Sequence, residues 1–406
     1  MIKLIFDSKK EKVSFIVKLV FCILALIVAG VAFGIFFSNM GNKTGFETID
    51  YLSTNKYNNN VSLNYYLDDS GDMSIASKRK LIQNYYSTAI VDFYTAVDEF
   101  TPTEGYVNLG YINNHPNEEI VVYDYLYDAL KNAYEKTIIE DSNYSIFSGY
   151  LNYFWFNNYQ NFALANSVEF DPLFDTSEKE KLTFYTDIAK NRSLVDLRFY
   201  PDNKIMLVVD ESLLNIEEKL YLDFNFLKDA YALEYIASQL TKNGFTKGYL
   251  TSKTGLSITL GEIPSGIEYS FYLNESGDGL KYSLNKEYRI ANLTTFKFNE
   301  AYGYSVEKDS SIFERYFYFD FNMINSFPII NSIHVASSDK LLYDLVFDAH
   351  QIFISNSKSE IKEKIKNSSN TIIFSDRDNV CYTNNFDNNI AYELKKCSIK
   401  GVDIFE

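Results

Sequence analysis

Histidine, proline, glycine and cysteine are all scarce in this chain of 406 residues, and each shortage removes an option. There are 3 His, 6 Pro, 17 Gly and 3 Cys. Glycine lets main chain approach a phosphate closely, and here it makes up roughly 4% of residues against a usual 7% or so. The three histidines, His115, His334 and His350, read as ordinary surface or core residues. Cys381 and Cys397 are the only cysteines outside the apolar N-terminal run. An oxidising compartment permits a disulfide, but their spacing leaves pairing open. Positive charge is also short, with a formal net charge of −16. Five lysines against two acids leave +3 on residues 1–18, so the remainder carries −19. Such a surface repels phosphate backbones and argues against a nucleic-acid partner.

A long apolar run is present. Leu19 to Phe37 holds 19 residues without a charge, and with Val13 to Val17 it is long enough to cross a hydrocarbon core of about 30 Å. Lys18 interrupts it near the end, where a lysine snorkels to the headgroups. The lysine excess before the run places the N-terminus in the cytoplasm. The expectation is a single-pass cell-membrane protein: a basic tail over 1–18, an anchor over 19–37, a tether over 38–60 and an extracytoplasmic domain over 61–406. A cleaved signal peptide is the alternative, since Gly30 and Ala32 are small. The apolar run continues to Phe37, which fits an anchor better. Cys22 follows Phe21, not a small residue, which argues against a lipoprotein. The Gly30–Gly34 pair has helix-packing spacing, and a single such pair says little.

Beyond the polar, turn-rich residues 38–60, Val61–Leu67 reads as a strand. Ile75–Phe100 repeats apolar residues at helical spacing through Leu81, Tyr85, Ala89, Phe93 and Val97. Val121–Lys136 predicts a second helix, Ala230–Leu240 a third that stops at Gly244, and Leu341–Ile354 a fourth. Leu194–Arg198 and Lys204–Val209 pair across Pro201, Asp202 and Asn203. Tyr249–Leu260 and Ile329–Ala336 predict strands. Helices and hairpins mix without βαβ alternation or repeats, so the class is α+β. The 34 Tyr fit a general compositional bias and are not in themselves a binding feature.

Four segments carry a resemblance. DSNYSIFSGYLNYFW, Asp141 to Trp155, is similar to a pattern DGxFDxxxGPLxxLW, with Asp141, Gly149, Leu151 and Trp155 matching and Tyr144 in place of Phe. Asn113 matches an Asn that precedes it. LDFNFLKDAYALEYIASQL, from Leu222, is similar to DLGGIAKGYAVDxxxxxL through Asp223, Tyr231 and Ala232, with Glu234 a conservative change. GYLTSKTGLSITLG, Gly248 to Gly261, is similar to ALVNLGGNIxxxG through Gly255 and Gly261. Finally, Pro328 and Asp344 match HxxDPxTGxP and xxADALxTALF. In this order and spacing, over residues 60–395, the segments resemble the FAD:protein FMN transferase (ApbE-type) family. The resemblance implies a fold of mixed helices and antiparallel sheet, and Mg²⁺-assisted transfer of FMN from FAD to a Thr of an exported protein, releasing AMP. It places Asn143, Tyr144, Ser145, Asp223 and Asp229 at cofactor-binding positions and Phe226, Asp344 and Asp348 at metal positions.

The departures bear on the chemistry. Asn225 and Phe226 replace one glycine pair, and Thr254 replaces the first glycine of another. Ungapped, Asp229 stands where the family has a phosphate-facing Lys; a shift of one residue restores Lys228 but loses Tyr231 and Ala232. Phe319, Asn322 and Ser326 replace the His, Asp and Gly around the TGxP turn, and phenylalanine transfers no proton. Asp344 and Asp348 lie one helical turn apart, able to bind a hard cation or to be two solvated acids. The expectation is a pseudoenzyme that keeps the scaffold and binds a flavin nucleotide, a metal or a protein partner. An active divergent transferase and a ligand-free surface protein are the alternatives.

Overall fold

The structure is a computed structural model. It describes residues 13, 17, 18, 20, 21, 23–30, 44–52, 60–139, 142–165, 171–261, 268–272, 279–283, 287–294, 303–316, 329–386, 390–393 and 398–405. One sheet of nine strands organises the chain: β1 (Gly45–Ile49), β2 (Val61–Leu67), β3 (Gly248–Ser252), β4 (Leu256–Thr259), β5 (Arg289–Thr294), β6 (Ile330–Ser337), β7 (Thr371–Asp376), β8 (Cys381–Thr383) and β9 (Ile399–Gly401). The strands lie side by side in chain order. All neighbours run antiparallel except β8 and β9, which are parallel.

The helices are α1 (Ile75–Ala96), α2 (Leu109–Asn114), α3 (Asp124–Thr137), α4 (Gly149–Ala165), α5 (Thr176–Lys190), α6 (Lys228–Lys242), α7 (Leu342–Phe353) and α8 (Lys358–Lys366). α6 buries Ala230, Leu233, Ile236, Ala237 and Leu240, the apolar stripe that makes it a core helix. It packs on α1 and on β3 and β4, while α7 packs on β5 and β6. Between β2 and β3 the chain inserts α1 to α6 together with the hairpin Val195–Tyr200 and Lys204–Val209. Asp202 and Asn203 turn that hairpin at φ 60° and 54°, a conformation short polar side chains tolerate.

The α+β class is as expected, with one correction to its boundary. Within the expected tether, residues 45–49 form part of the fold: β1 pairs with β2 from Gly45↔Leu67 to Ile49↔Leu63, and the Asn60 carbonyl accepts a hydrogen bond from the Lys253 N–H at 2.9 Å. Apolar Phe46 and Ile49 give this polar stretch its place on the sheet, so the fold begins before residue 61. Tyr249–Leu260 is a hairpin, not one strand. Among the described residues no helix is long and apolar enough to cross a membrane, and residues 31–37 of the expected anchor lie outside them. Cys381 is disulfide-bonded, with its partner outside the described residues.

Candidate functional site

The loop before α6, the first turn of α6 and the end of α1 meet at one cavity of about 240 Å³. Asn113 builds this junction. Its side-chain oxygen accepts from the Leu222 N–H at 2.9 Å, and its amide donates to the Leu222 and Glu99 carbonyls, both at 3.3 Å. One fully buried amide therefore ties together the chain segments that carry Glu99 and Asp223. Gly149 adds the third side. A Cβ there would lie 2.2 Å from the Leu220 carbonyl oxygen, so only glycine lets α4 start against this segment. α4 then presents Asn152, Tyr153 and Phe156 to the cavity.

The floor is charged and mostly buried. Lys228 Nζ lies 2.8 Å from both Glu99 carboxylate oxygens and 3.6 Å from Asp223. Asp223 also accepts from the Asn152 amide at 2.8 Å and the Asn225 N–H at 2.9 Å. Asp229 accepts from the hydroxyls of Tyr94 and Thr254, both at 2.9 Å. Burial pushes Glu99 up to about 7, against the pull of the Lys228 ammonium and with help from the Asp223 carboxylate. Burial likewise raises Asp229. Lys228 moves up despite its burial, because Glu99 and Asp223 hold the proton on it. Phe100, Tyr153, Phe156 and Phe226 wall the cavity.

Three positions where the resemblance expects bare glycine carry side chains here. Asn225, Phe226 and Thr254 all line the cavity. Asn225 adopts a left-handed backbone, at φ 52°, which short polar side chains tolerate. The matched glycines have a different task. Gly255 sits at φ +93°, where a Cβ would lie 2.4 Å from the Asn292 carbonyl oxygen. Gly255 and Gly149 thus permit close backbone approaches inside the fold. The chain keeps glycines that packing requires and lacks those that would open backbone to a ligand.

Of the expected site residues, Asp223, Phe226 and Asp229 meet at this cavity; Asn143, Tyr144 and Ser145 do not line it. Tyr144 is buried, edge-on to Phe226 at 5.5 Å, and supports the cavity wall from behind. The Ser145 hydroxyl donates to the Ala189 carbonyl at 2.6 Å, and the Asn143 N–H to the Gln351 side-chain oxygen at 3.3 Å. Asp344 is paired with Lys136 and Asp348 with Lys340, the latter at 2.9 Å. Both acids are about a third exposed. Phe226 stacks its ring on His350 at 3.9 Å. Among the described residues no three His, Cys, Asp or Glu side chains are grouped to hold a metal. A magnesium ion at Asp344 and Asp348 would displace two lysines, so the residues present do not fit it. The positions of Phe319, Asn322, Ser326 and Pro328 lie outside the described residues.

FAD fits poorly as well. Its pyrophosphate would face three carboxylates, and the one lysine among the lining residues is already held by Glu99. Sequence reasoning missed Glu99, which follows the helical pattern of α1 with no motif around it. Asn152, Tyr153 and Phe156 lie in or beside the Asp141–Trp155 segment without marking themselves.

No family model and no curated protein matches the sequence. Solved structures match the fold. The flavin transferase ApbE from Vibrio cholerae has a TM-score of 0.55 at 12% identity, covering 86% of this chain and 96% of that one. The ApbE protein from Thermotoga maritima has 0.56 at 12%, covering 84% and 96%. The flavinyl transferase ApbE from Pseudomonas stutzeri, in its apo form, has 0.54 at 11%, covering 84% and 96%. The chain adopts the ApbE-type fold.

Proposed function

We propose that this is a membrane-anchored protein that uses an ApbE-type fold outside the cytoplasm for binding, without transferring FMN. The observation that carries this reading is the closed charge pair in the cavity. Glu99 holds Lys228 through both oxygens at 2.8 Å, and Asp229 lies buried at the aligned position of the family's lysine. Breaking a pyrophosphate needs donors preorganised for developing negative charge. Here the carboxylate of Glu99 takes that place on the lysine, and Asn225, Phe226 and Thr254 cover the backbone that would cradle phosphate. Losing one such donor costs about 10²–10³ in rate.

Anchoring rests on the N-terminal run. Val17, Val20, Phe21, Leu24, Leu26, Ile27 and Val28 are all exposed, an apolar set that water disfavours and a bilayer accepts. The disulfide at Cys381 favours an oxidising compartment. The partner in this reading is an exported protein or a small ligand. The test is a mass measurement on a Thr-containing target peptide after long incubation with the full chain, FAD and Mg²⁺. No mass increase for FMN is expected. A flavin adduct abolished by Asp344→Ala would make the chain an active, divergent transferase instead.

A further inference from the structure

We propose that Lys136 stands in for a divalent cation: its ammonium is a resident positive charge on Asp344 that makes this copy of the fold independent of metal. The proposal concerns the start of α7 and goes beyond the reading of the cavity. The resemblance gives Asp344 and Asp348 to a metal, and the residues present do not fit one. Lys136 holds Asp344 instead. It comes from the last turn of α3, 208 residues away in sequence. A long cationic side chain ordinarily keeps its head in water. This one is only 9% exposed, with its ammonium on Asp344 and 5.4 Å from the ring centres of both Tyr343 and Phe347, whose faces attract a cation.

The surroundings require a cation at this spot. Each partner sits at the helix end that favours its charge, Asp344 in the first turn of α7 and Lys136 in the last turn of α3. Burial pushes the Tyr343 hydroxyl up to about 12, and the carboxylates of Asp344, Glu234 and Asp128 add to the rise. Glu234 has its own partner in Arg289, at 2.6 Å, so Lys136 is left to neutralise Asp344. The Phe347 ring meets Tyr144 edge-on at 6.3 Å, and Tyr144 meets Phe226 in the same way at 5.5 Å. A run of packed rings ending on the lysine thus connects Phe226 with Asp344, two of the three positions that the resemblance gives to a metal. Lys340 on Asp348 is a different kind of pair. Its side chains are 41% and 36% exposed, so the contact is a weak one and leaves Asp348 able to turn toward a metal once Lys136 is gone.

The experiment counts bound Mn²⁺, which shares the oxygen ligands of Mg²⁺, by its electron paramagnetic resonance signal on the full chain in nonionic detergent. Lys136→Ala removes the ammonium and opens room on Asp344. In Mn²⁺ of about 1 mM, the range of weak carboxylate sites, it should bind one ion more than the parent, and that ion should raise its melting temperature toward the parent's. Lys136→Ala combined with Asp344→Asn should bind no more than the parent. No extra Mn²⁺ on folded Lys136→Ala, an extra ion that survives Asp344→Asn, or binding by the parent that Asp344→Asn removes overturns the proposal. If Lys136→Ala does not fold, the charge itself is read from two fuller side chains. Lys136→Arg should melt close to the parent and Lys136→Gln about 5 °C or more lower; equal melting of the two makes Lys136 a packing residue and overturns the proposal as well.

Discussion

Replacing Lys228 with methionine removes the only ammonium among the cavity's lining residues and leaves Glu99 and Asp223 facing each other. Breaking a buried pair by removing one partner costs about 3–5 kcal/mol. The Lys228 side chain is 25% exposed, so water recovers part of this, and about 2–4 kcal/mol is expected at pH 8. The loss depends on pH. Without the ammonium, Glu99 binds its proton more tightly than in the parent chain. Acidification through its titration therefore neutralises the stranded charge, and the penalty shrinks as pH falls toward about 7, where Glu99 of the parent also takes up its proton. The double change Glu99→Gln with Lys228→Met should recover more than half of the lost stability. Urea unfolding followed by the fluorescence of Trp155, the one tryptophan and a buried one, reads each term. A cost under about 1 kcal/mol, typical of exposed pairs, with no pH dependence would refute the reasoning. Lys228 would then be a solvated cation open to a phosphate.

Gly255→Ala should destabilise by at least about 1–2 kcal/mol for the left-handed backbone alone, and further through the 2.4 Å approach to Asn292; a urea midpoint within error of the parent would contradict it. Glu99 rises from 4.5 to about 7 on folding, so its contribution is present below pH 4.5 and lost as pH rises through about 7. The difference in stability between the parent and Glu99→Gln should carry this slope, and a flat difference would show that Glu99 titrates normally. Because Asp344 and Asp348 are held by lysines, excess Mg²⁺ should leave the melting temperature of the full chain unchanged, and a rise abolished by Asp344→Asn would count against this.

Sequence pattern located most of the frame, since period decides these elements. Val61–Leu67 alternates between buried and exposed sides and is a strand at the expected ends. Gly244, at φ +81°, closes α6 as a helix stop. β1 was hidden because GFETI alternates only weakly within polar neighbours. The cavity was partly legible: Asp223, Phe226 and Asp229 belong to one motif and meet in space. Glu99 was not, because its role comes from Asn113 joining two segments distant in sequence. Nor could spacing alone show that Asp344 and Asp348 each face a lysine from another part of the chain, 208 and 8 residues away.

Equilibrium dialysis of FAD against the full chain in nonionic detergent, with and without Mg²⁺, tests most directly whether the cavity has been closed to a pyrophosphate. Retention no greater than that of a control protein is the predicted result. Saturable FAD binding that is lost in Lys228→Met would contradict it, because the lysine would then be serving the nucleotide and not Glu99.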